Sequence, residues 1–289
     1  MIRSLATAAA LLLSGLSLSA QTDSLSIAPR DTLTAAPRDS VNFAPLDSLL
    51  ISFYEALEGE GADEKAQEAD FLIGTCRDSL TRQHVAIAIF DHYRDSRLMG
   101  DDSVCIQVYD NWFASGIVSF EGELSAMDAE IFVKFNRENQ LGCDAPQVTL
   151  FKPCGGRRTV PESGRATVLF FYDTHCSKCR IESKLLPEVL AGVDFKLDFV
   201  AVYAGTDKTS WAEFRRHFKV SNPKVRLIHL WDPELDSGYQ LSYGVYGTPR
   251  MYLVEPGGTI IGKKLEVENL RQLLPVAGAI QAKYDEFYK

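Results

Sequence analysis

The chain has no surplus of positive charge. Its 30 Lys and Arg residues are outnumbered by 39 Asp and Glu, for a net charge of -9 over 289 residues. Nucleic-acid binding depends on a basic footprint that neutralises phosphates, so no nucleic-acid partner is expected. Long apolar runs are missing beyond the first 20 residues. A bilayer-spanning helix needs about 20 consecutive apolar residues, so no membrane span is expected after that point. Only one C-x-x-C occurs, at Cys176 and Cys179. A zinc site built on that motif needs a second ligand pair, and none is present. Arg180 follows Cys179 where c-type haem attachment would need His. No metal and no cofactor is therefore expected. The composition, 46% hydrophobic and 24% charged, is that of an ordinary folded protein.

What is present begins with a separate segment. Met1-Ile2-Arg3 supplies a positive start, Leu5 to Leu13 an apolar run, and Ser17-Leu18-Ser19-Ala20 a small-residue end. That order reads as a secretory signal peptide over residues 1–20, cut before Gln21. No Cys follows the cut, which argues against a lipid-anchored lipoprotein. A periplasmic or otherwise exported location follows as the expectation. It places all six cysteines in an oxidising compartment, where disulfides persist. Next, Asp23–Arg30 is echoed by Asp31–Arg38, and a decayed third copy starts at Asp39. A proline in each copy prevents a continuous helix, so residues 21–46 read as a flexible linker.

Residues 47–140 carry apolar residues at helical spacing, with Ser or Asp at the expected starts. Helices are predicted over Ser48–Leu57, Ala66–Thr75, a segment capped by Asp78 or Ser79, one from Asp102 or Ser103, and Ser125–Asn139. His84 and His92 stand alone there and suggest no catalytic cluster. The pattern changes over residues 141–289. Strands are predicted at Val148–Lys152, Thr167–Tyr172, Phe195–Tyr203, Val225–Trp231, Arg250–Val254 and Thr259–Leu265. Helices are predicted at Cys176–Ala191, Lys208–Phe218, Leu235–Tyr243 and Val267–Phe287. The expected fold class is an α/β domain with a mixed sheet, preceded by an all-α domain.

Cys176-Ser177-Lys178-Cys179 lies where a buried strand meets a helix. Two residues between cysteines in the first helical turn bring the sulfurs close enough to bridge. The first sulfur stays at the helix N-terminus, where free N–H groups favour a thiolate. The thiolate is the species that attacks disulfides. Lys178 and His175 are candidate pKa-tuning groups beside it.

Asp173-Thr174-His175-Cys176-Ser177-Lys178-Cys179-Arg180-Ile181-Glu182, entered from Phe170-Phe171-Tyr172, resembles the active-site segment of thioredoxin-fold proteins. The closer resemblance is to exported TlpA/ResA-like thiol-disulfide oxidoreductases. Val245 to Leu253, with Gly247-Thr248-Pro249 at its centre, is similar to that family's second signature, and Asp144–Leu150 to its opening hairpin. The resemblance covers residues 143–289 and implies a thioredoxin fold. It implies Cys176 as attacking thiolate and Cys179 as resolving thiol. Pro249 would be a cis-proline facing them, with Thr248 presenting backbone groups to substrate. Glu182 would exchange protons near the thiols. The segment departs from the family at His175 in place of Trp, at Ser177-Lys178 between the cysteines, and at Lys184 where a proline is usual. The preceding helices resemble a helical region found in Bacteroidetes members, which implies no chemistry.

Four cysteines remain, and sequence alone allows three pairings. The favoured one joins Cys143 to Cys154 across the opening hairpin and Cys76 to Cys105 between helices. The expected function is reduction of disulfides in exported protein substrates, with a membrane electron donor as the further partner. Rival readings are a disulfide oxidase or isomerase, a peroxide-reducing enzyme of the same fold, and a non-catalytic protein that binds a partner through its helical domain.

Overall fold

The computed structural model describes residues 42–288. The expected signal peptide and residues 21–41 of the expected linker lie outside the described residues. The last part of that linker is helical: helix α1 spans Ala44–Ala56, with Pro45 in its first turn. Proline is tolerated there because its missing N–H has no intrahelical partner to lose. Asp47, the residue before the predicted start at Ser48, lies inside the helix and meets His84 Nε2 at 2.6 Å.

Helices α2 (Ala62–Thr75), α3 (Ser79–Arg94), α4 (Asp102–Val108) and α5 (Glu123–Asn136) follow. Asp78 caps α3 by accepting from the Thr81 N–H at 2.8 Å. A π-helical turn, Tyr109–Phe113, extends α4, and a 3-10 turn, Arg137–Asn139, extends α5. Leu50, Leu72, Ile73, Ile89, Phe90, Val104 and Val133 form one apolar core among these helices.

The second half forms a seven-stranded mixed sheet in the order β2-β1-β5-β4-β3-β6-β7. The strands are β1 (Val148–Phe151), β2 (Arg157–Val160), β3 (Ala166–Tyr172), β4 (Leu197–Tyr203), β5 (Val225–Trp231), β6 (Arg250–Val254) and β7 (Ile260–Gly262). β3, β4 and β5 pair in parallel, while β6 runs antiparallel to β3. Every residue of β3 and β4 is buried, which explains their mostly apolar sequences; the exceptions are Thr167 and Asp198, the latter ion-paired with Arg165 and Arg226. β2 is not foreseen from sequence. It is an edge strand in which Val160 alone is buried, so it has no apolar run to read.

Helices α6 (Ser177–Ala191), α7 (Lys208–His217) and α9 (Val267–Phe287) accompany the sheet, with the short α8 (Tyr239–Ser242) before β6. One face of the sheet buries Val168, Phe170, Phe199 and Leu253 with Leu186, Leu190, Leu270 and Leu274 of α6 and α9. The other face buries Leu169, Phe171, Val200 and Tyr252 with Tyr239 and Tyr243. The helical half meets the sheet half through polar contacts as well as packing. Lys263 forms a buried ion pair with Asp102, and the Lys263 N–H points at Met99 Sδ at 3.1 Å. Asn139 Nδ2 donates to the Phe135 and Ser242 carbonyls at 2.8 and 3.0 Å.

Candidate active site

β3 ends at Tyr172, and the chain turns through Asp173, Thr174 and His175 into α6. Asp173 organises the turn: its Oδ1 accepts from the His175 N–H at 2.7 Å. Cys176 is the N-cap of α6, and its Sγ accepts from the Cys179 N–H at 3.1 Å. The first N–H groups of a helix have no intrahelical partner, so a thiolate at this position satisfies a donor that is otherwise free. Cys176 Sγ also lies 3.2 Å from the Thr248 carbonyl oxygen. Thr248-Pro249 is a cis peptide, as the resemblance implied. A second cis bond, Val160-Pro161, is not foreseen from sequence.

The two thiols are set apart by their surroundings. Burial tends to raise the Cys176 pKa, but the hydrogen bonds from the Cys179 thiol and N–H, from Thr248 and from the Lys178 N–H outweigh it and lower it. Cys179 is 1% exposed, and burial, helped by its hydrogen bond to Cys176, pushes its thiol up to about 12. One helical turn on, Glu182 is buried. Burial raises its carboxyl above the ordinary range, against the hydrogen bond it accepts from the Val267 N–H at 3.0 Å. That donor is the first residue of α9, a partner no sequence spacing reveals.

The structure brings Cys176, Cys179, Thr248 and Pro249 together, sets Glu182 one helical turn past Cys179 with its carboxyl on the Val267 N–H, and places the two candidate tuning residues differently. Lys178 Nζ is drawn to Glu266 at 2.6 Å, with both side chains more than half exposed. Its contribution to Cys176 comes through its backbone N–H. The His175 ring is 79% exposed and lies 3.2 Å from Asp173 Oδ1. A cavity of about 910 Å³ opens beside the motif, lined by Asp173, Thr174, His175, Cys179, Glu213 and Phe214 among others.

The expected structural disulfides are not formed; all six cysteines are free thiols. Cys143 lies beside the β7 edge, where its carbonyl accepts from the Ile260 N–H at 2.9 Å. Cys154 sits in the turn between β1 and β2, at the opposite edge of the sheet. Neighbouring strands are about 4.8 Å apart and a disulfide needs Cα atoms within about 7 Å, so strands stand between this pair. Cys76 and Cys105 are buried in the helical core. Their sulfurs are directed at the Leu72 and Phe90 carbonyls, at 3.5 and 3.4 Å, rather than at one another. Among the described residues no cluster of three or more His, Cys, Asp or Glu could hold a metal ion. No described helix is long and apolar enough to cross a membrane.

No family model matches the chain, and no curated protein matches it. Solved structures do. A thioredoxin-like protein from Bacteroides caccae superposes with a TM-score of 0.61 over 89% of this chain and 99% of its own, at 15% identity. The thioredoxin domain of a thiol-disulfide oxidoreductase from Bacteroides vulgatus covers 48% of this chain and 97% of its own, at 22% identity and a TM-score of 0.42. A thiol:disulfide interchange protein from a Bacteroides species covers 49% of this chain and 92% of its own, at 20% identity and a TM-score of 0.41. The first of these likenesses, together with the mixed seven-stranded sheet flanked by helices, establishes that the chain has a thioredoxin-like fold with helices at its N-terminal side.

Proposed function

We propose that this protein is an exported thiol-disulfide oxidoreductase that reduces disulfides in other exported proteins. The observation that carries the reading is the asymmetry of the motif. Cys176 has its pKa lowered at a helix start and faces the carbonyl before a cis-proline, while Cys179 is buried with its pKa raised. An attacking thiol must be ionised and reachable, whereas a resolving thiol must wait protonated.

The Cys176 thiolate attacks one sulfur of a substrate disulfide. That S–S bond breaks, and its electron pair leaves on the second sulfur, which takes up a proton. Thr248 holds the substrate backbone beside the mixed disulfide. Cys179 then gives up its proton, with Glu182 as the acceptor one turn away, and attacks Cys176 Sγ. The mixed disulfide breaks, the substrate leaves with both sulfurs reduced, and Cys176 and Cys179 are left joined. The substrate has gained two electrons. A membrane thiol donor is the partner that returns the pair to the dithiol.

A glutathione redox titration of the mature protein, with thiols trapped at each poise and read by peptide mass spectrometry, tests the direction. A Cys176–Cys179 couple below about -230 mV supports a reductase. A couple above about -180 mV overturns that direction and makes the protein an oxidase or isomerase. That second reading has its own observation: the hydrogen bonds onto Cys176 Sγ stabilise the reduced state, which makes the disulfide more oxidising. A Cys176→Ser chain that keeps its role in the cell would overturn both and leave partner binding by the helices.

A further inference from the structure

Helix α5 has an apolar stripe on the wrong side. Its inward face buries Ala129, Val133 and Asn136. A helix packed on a core in this way normally turns polar residues to solvent. Here Leu124, Met127 and Ile131 face outward, 74%, 51% and 46% exposed. At 3.6 residues per turn, these three and Phe135 fall within an arc of about 80°.

The stripe leads to the reactive sulfur. The Phe135 ring meets Tyr246 edge-on, with centroids 5.9 Å apart. Tyr246 is 63% exposed, and the Arg250 guanidinium lies over its ring at 4.6 Å. Two residues later comes Thr248, whose carbonyl is 3.2 Å from Cys176 Sγ. The junction is closely fitted. A Cβ on Gly244 would come within 2.5 Å of the Phe135 carbonyl oxygen, and Gly244 has φ +56°. The end of α5 thus presses directly on the segment that runs into the cis-proline.

We infer that this stripe is a docking surface for the disulfide-bearing substrate, and that it takes an extended apolar segment carrying Lys or Arg on one side of the target cysteine. The inference rests on the oxidoreductase reading above. The occupant follows from continuity and charge. A chain reacting at Cys176 beside Thr248 need only continue past Tyr246 to reach Phe135 and Ile131. The stripe's margins carry four exposed acidic side chains, Glu121, Glu123, Asp128 and Glu130, against one exposed basic one, Lys134. Those margins attract a basic segment and repel a second copy of a chain whose net charge is -9. The stripe is roughly 16 Å long at 1.5 Å per residue. An extended chain covering it and the path to Cys176 needs about eight residues at ~3.3 Å each.

The test uses the reduced mature chain and three disulfide probes. One is a peptide whose cysteine, as its mixed disulfide with thionitrobenzoate, carries ten-residue arms of Leu, Val and Lys. The second is the same cysteine with two-residue arms, and the third is the symmetric small aromatic disulfide. The test variant is Met127→Glu with Ile131→Glu, and Leu124→Lys is a second variant on the stripe. Leu80→Glu, at an apolar position 49% exposed on α3, is the control. Both stripe variants are expected to lose tenfold or more in the second-order rate constant for single-turnover reduction of the long peptide, and to leave the two small probes unchanged. Leu80→Glu changes none. Equal losses on all three probes, or no loss on the long one, overturn the inference. Anisotropy of the labelled long peptide with Ser in place of Cys separates docking from chemistry. Binding that the stripe variants abolish, with no turnover of any probe, keeps the docking surface and removes the oxidoreductase reading. Concentration-dependent dimerisation that both stripe variants abolish makes the stripe a self-interface and overturns the inference.

Discussion

The buried thiols Cys76 and Cys105 of the helical half and the half-buried Cys176 of the sheet half have their pKa values shifted in opposite directions. Cys76 and Cys105 direct their sulfurs at backbone carbonyls, which accept a proton's hydrogen bond and stabilise the neutral thiol. Burial pushes Cys76 up to about 11 and Cys105 higher still. Cys176 also lies beside a carbonyl, that of Thr248, but has in addition the Cys179 N–H pointing at its sulfur, and its pKa is lowered. Between Cys76 and Cys176 the difference lies in which end of a helix meets the sulfur. Cys76 closes the C-terminal end of α2, where carbonyls are free, and Cys176 opens α6, where N–H groups are free. The same residue type becomes a core hydrophobe in one place and the proposed nucleophile in the other.

The sharpest way to break this comparison is to remove the nucleophile. Cys176→Ser is expected to lower disulfide turnover by ~10³-fold or more, since nothing else in the motif can form the mixed disulfide. Alanine at Cys76 or Cys105 should leave turnover unchanged. Iodoacetamide labelling of the reduced chain, read by mass spectrometry across pH, checks the contrast directly. Cys176 should be modified first, at a pH below that of an ordinary thiol, and Cys105 only on unfolding.

Buried charges extend the comparison. Lys263 and Asp102 join the two halves with side chains 1% and 8% exposed. Lys263→Met leaves Asp102 buried without its partner, which is expected to cost ~3–5 kcal/mol. Adding Asp102→Leu should recover most of that loss, because an apolar pair avoids the desolvation penalty. Urea unfolding of the two variants checks it.

Glu182 is a buried carboxyl that accepts one backbone hydrogen bond and feels the charges of Lys178 and Glu266, which act on it in opposite directions. Glu182→Gln should slow turnover by roughly 10²-fold if it takes the Cys179 proton, and should flatten the acid side of the pH–rate profile. The folded carboxyl has its pKa raised, so the folded state binds that proton more tightly than the unfolded state. Its contribution to stability is therefore present below the ordinary Glu range and is lost as pH rises through the raised value. Urea unfolding at several pH values should accordingly show Glu182→Gln gaining stability relative to the parent as pH rises.

The smallest effect is expected at Lys178. Its partner Glu266 is as exposed as it is, so Lys178→Ala should change stability by less than about 1 kcal/mol. The labelling profile of Cys176 should hardly move, because the backbone N–H of residue 178 survives the substitution. A large shift would return Lys178 to the tuning role its position in the motif suggests.

Most of the sheet is legible in the sequence because its central strands are buried on both faces. The apolar runs of β3, β4 and β5 appear within two residues of their observed bounds. β2 is hidden because an edge strand needs no such run. The C-x-x-C motif and the position of Glu182 are local patterns, and local patterns survive in one dimension; the cis-proline is expected only from the resemblance carried by Gly247-Thr248-Pro249. The disulfide pairing is not local, and it is where sequence counting fails: Cys143 and Cys154, close in the chain, lie at opposite edges of the sheet.

The sequence by itself singled out the residues proposed to carry the chemistry, because a cysteine at a helix start and a second one three residues on are visible as spacing alone. Only the tertiary structure decided what surrounds them. Glu182 meets the first N–H of a helix 85 residues later, Lys178 turns to Glu266, and α5 presses its end on the segment leading to Thr248. Those contacts depend on how separate elements pack, and packing brings together groups whose separation along the chain bears no relation to their distance in space.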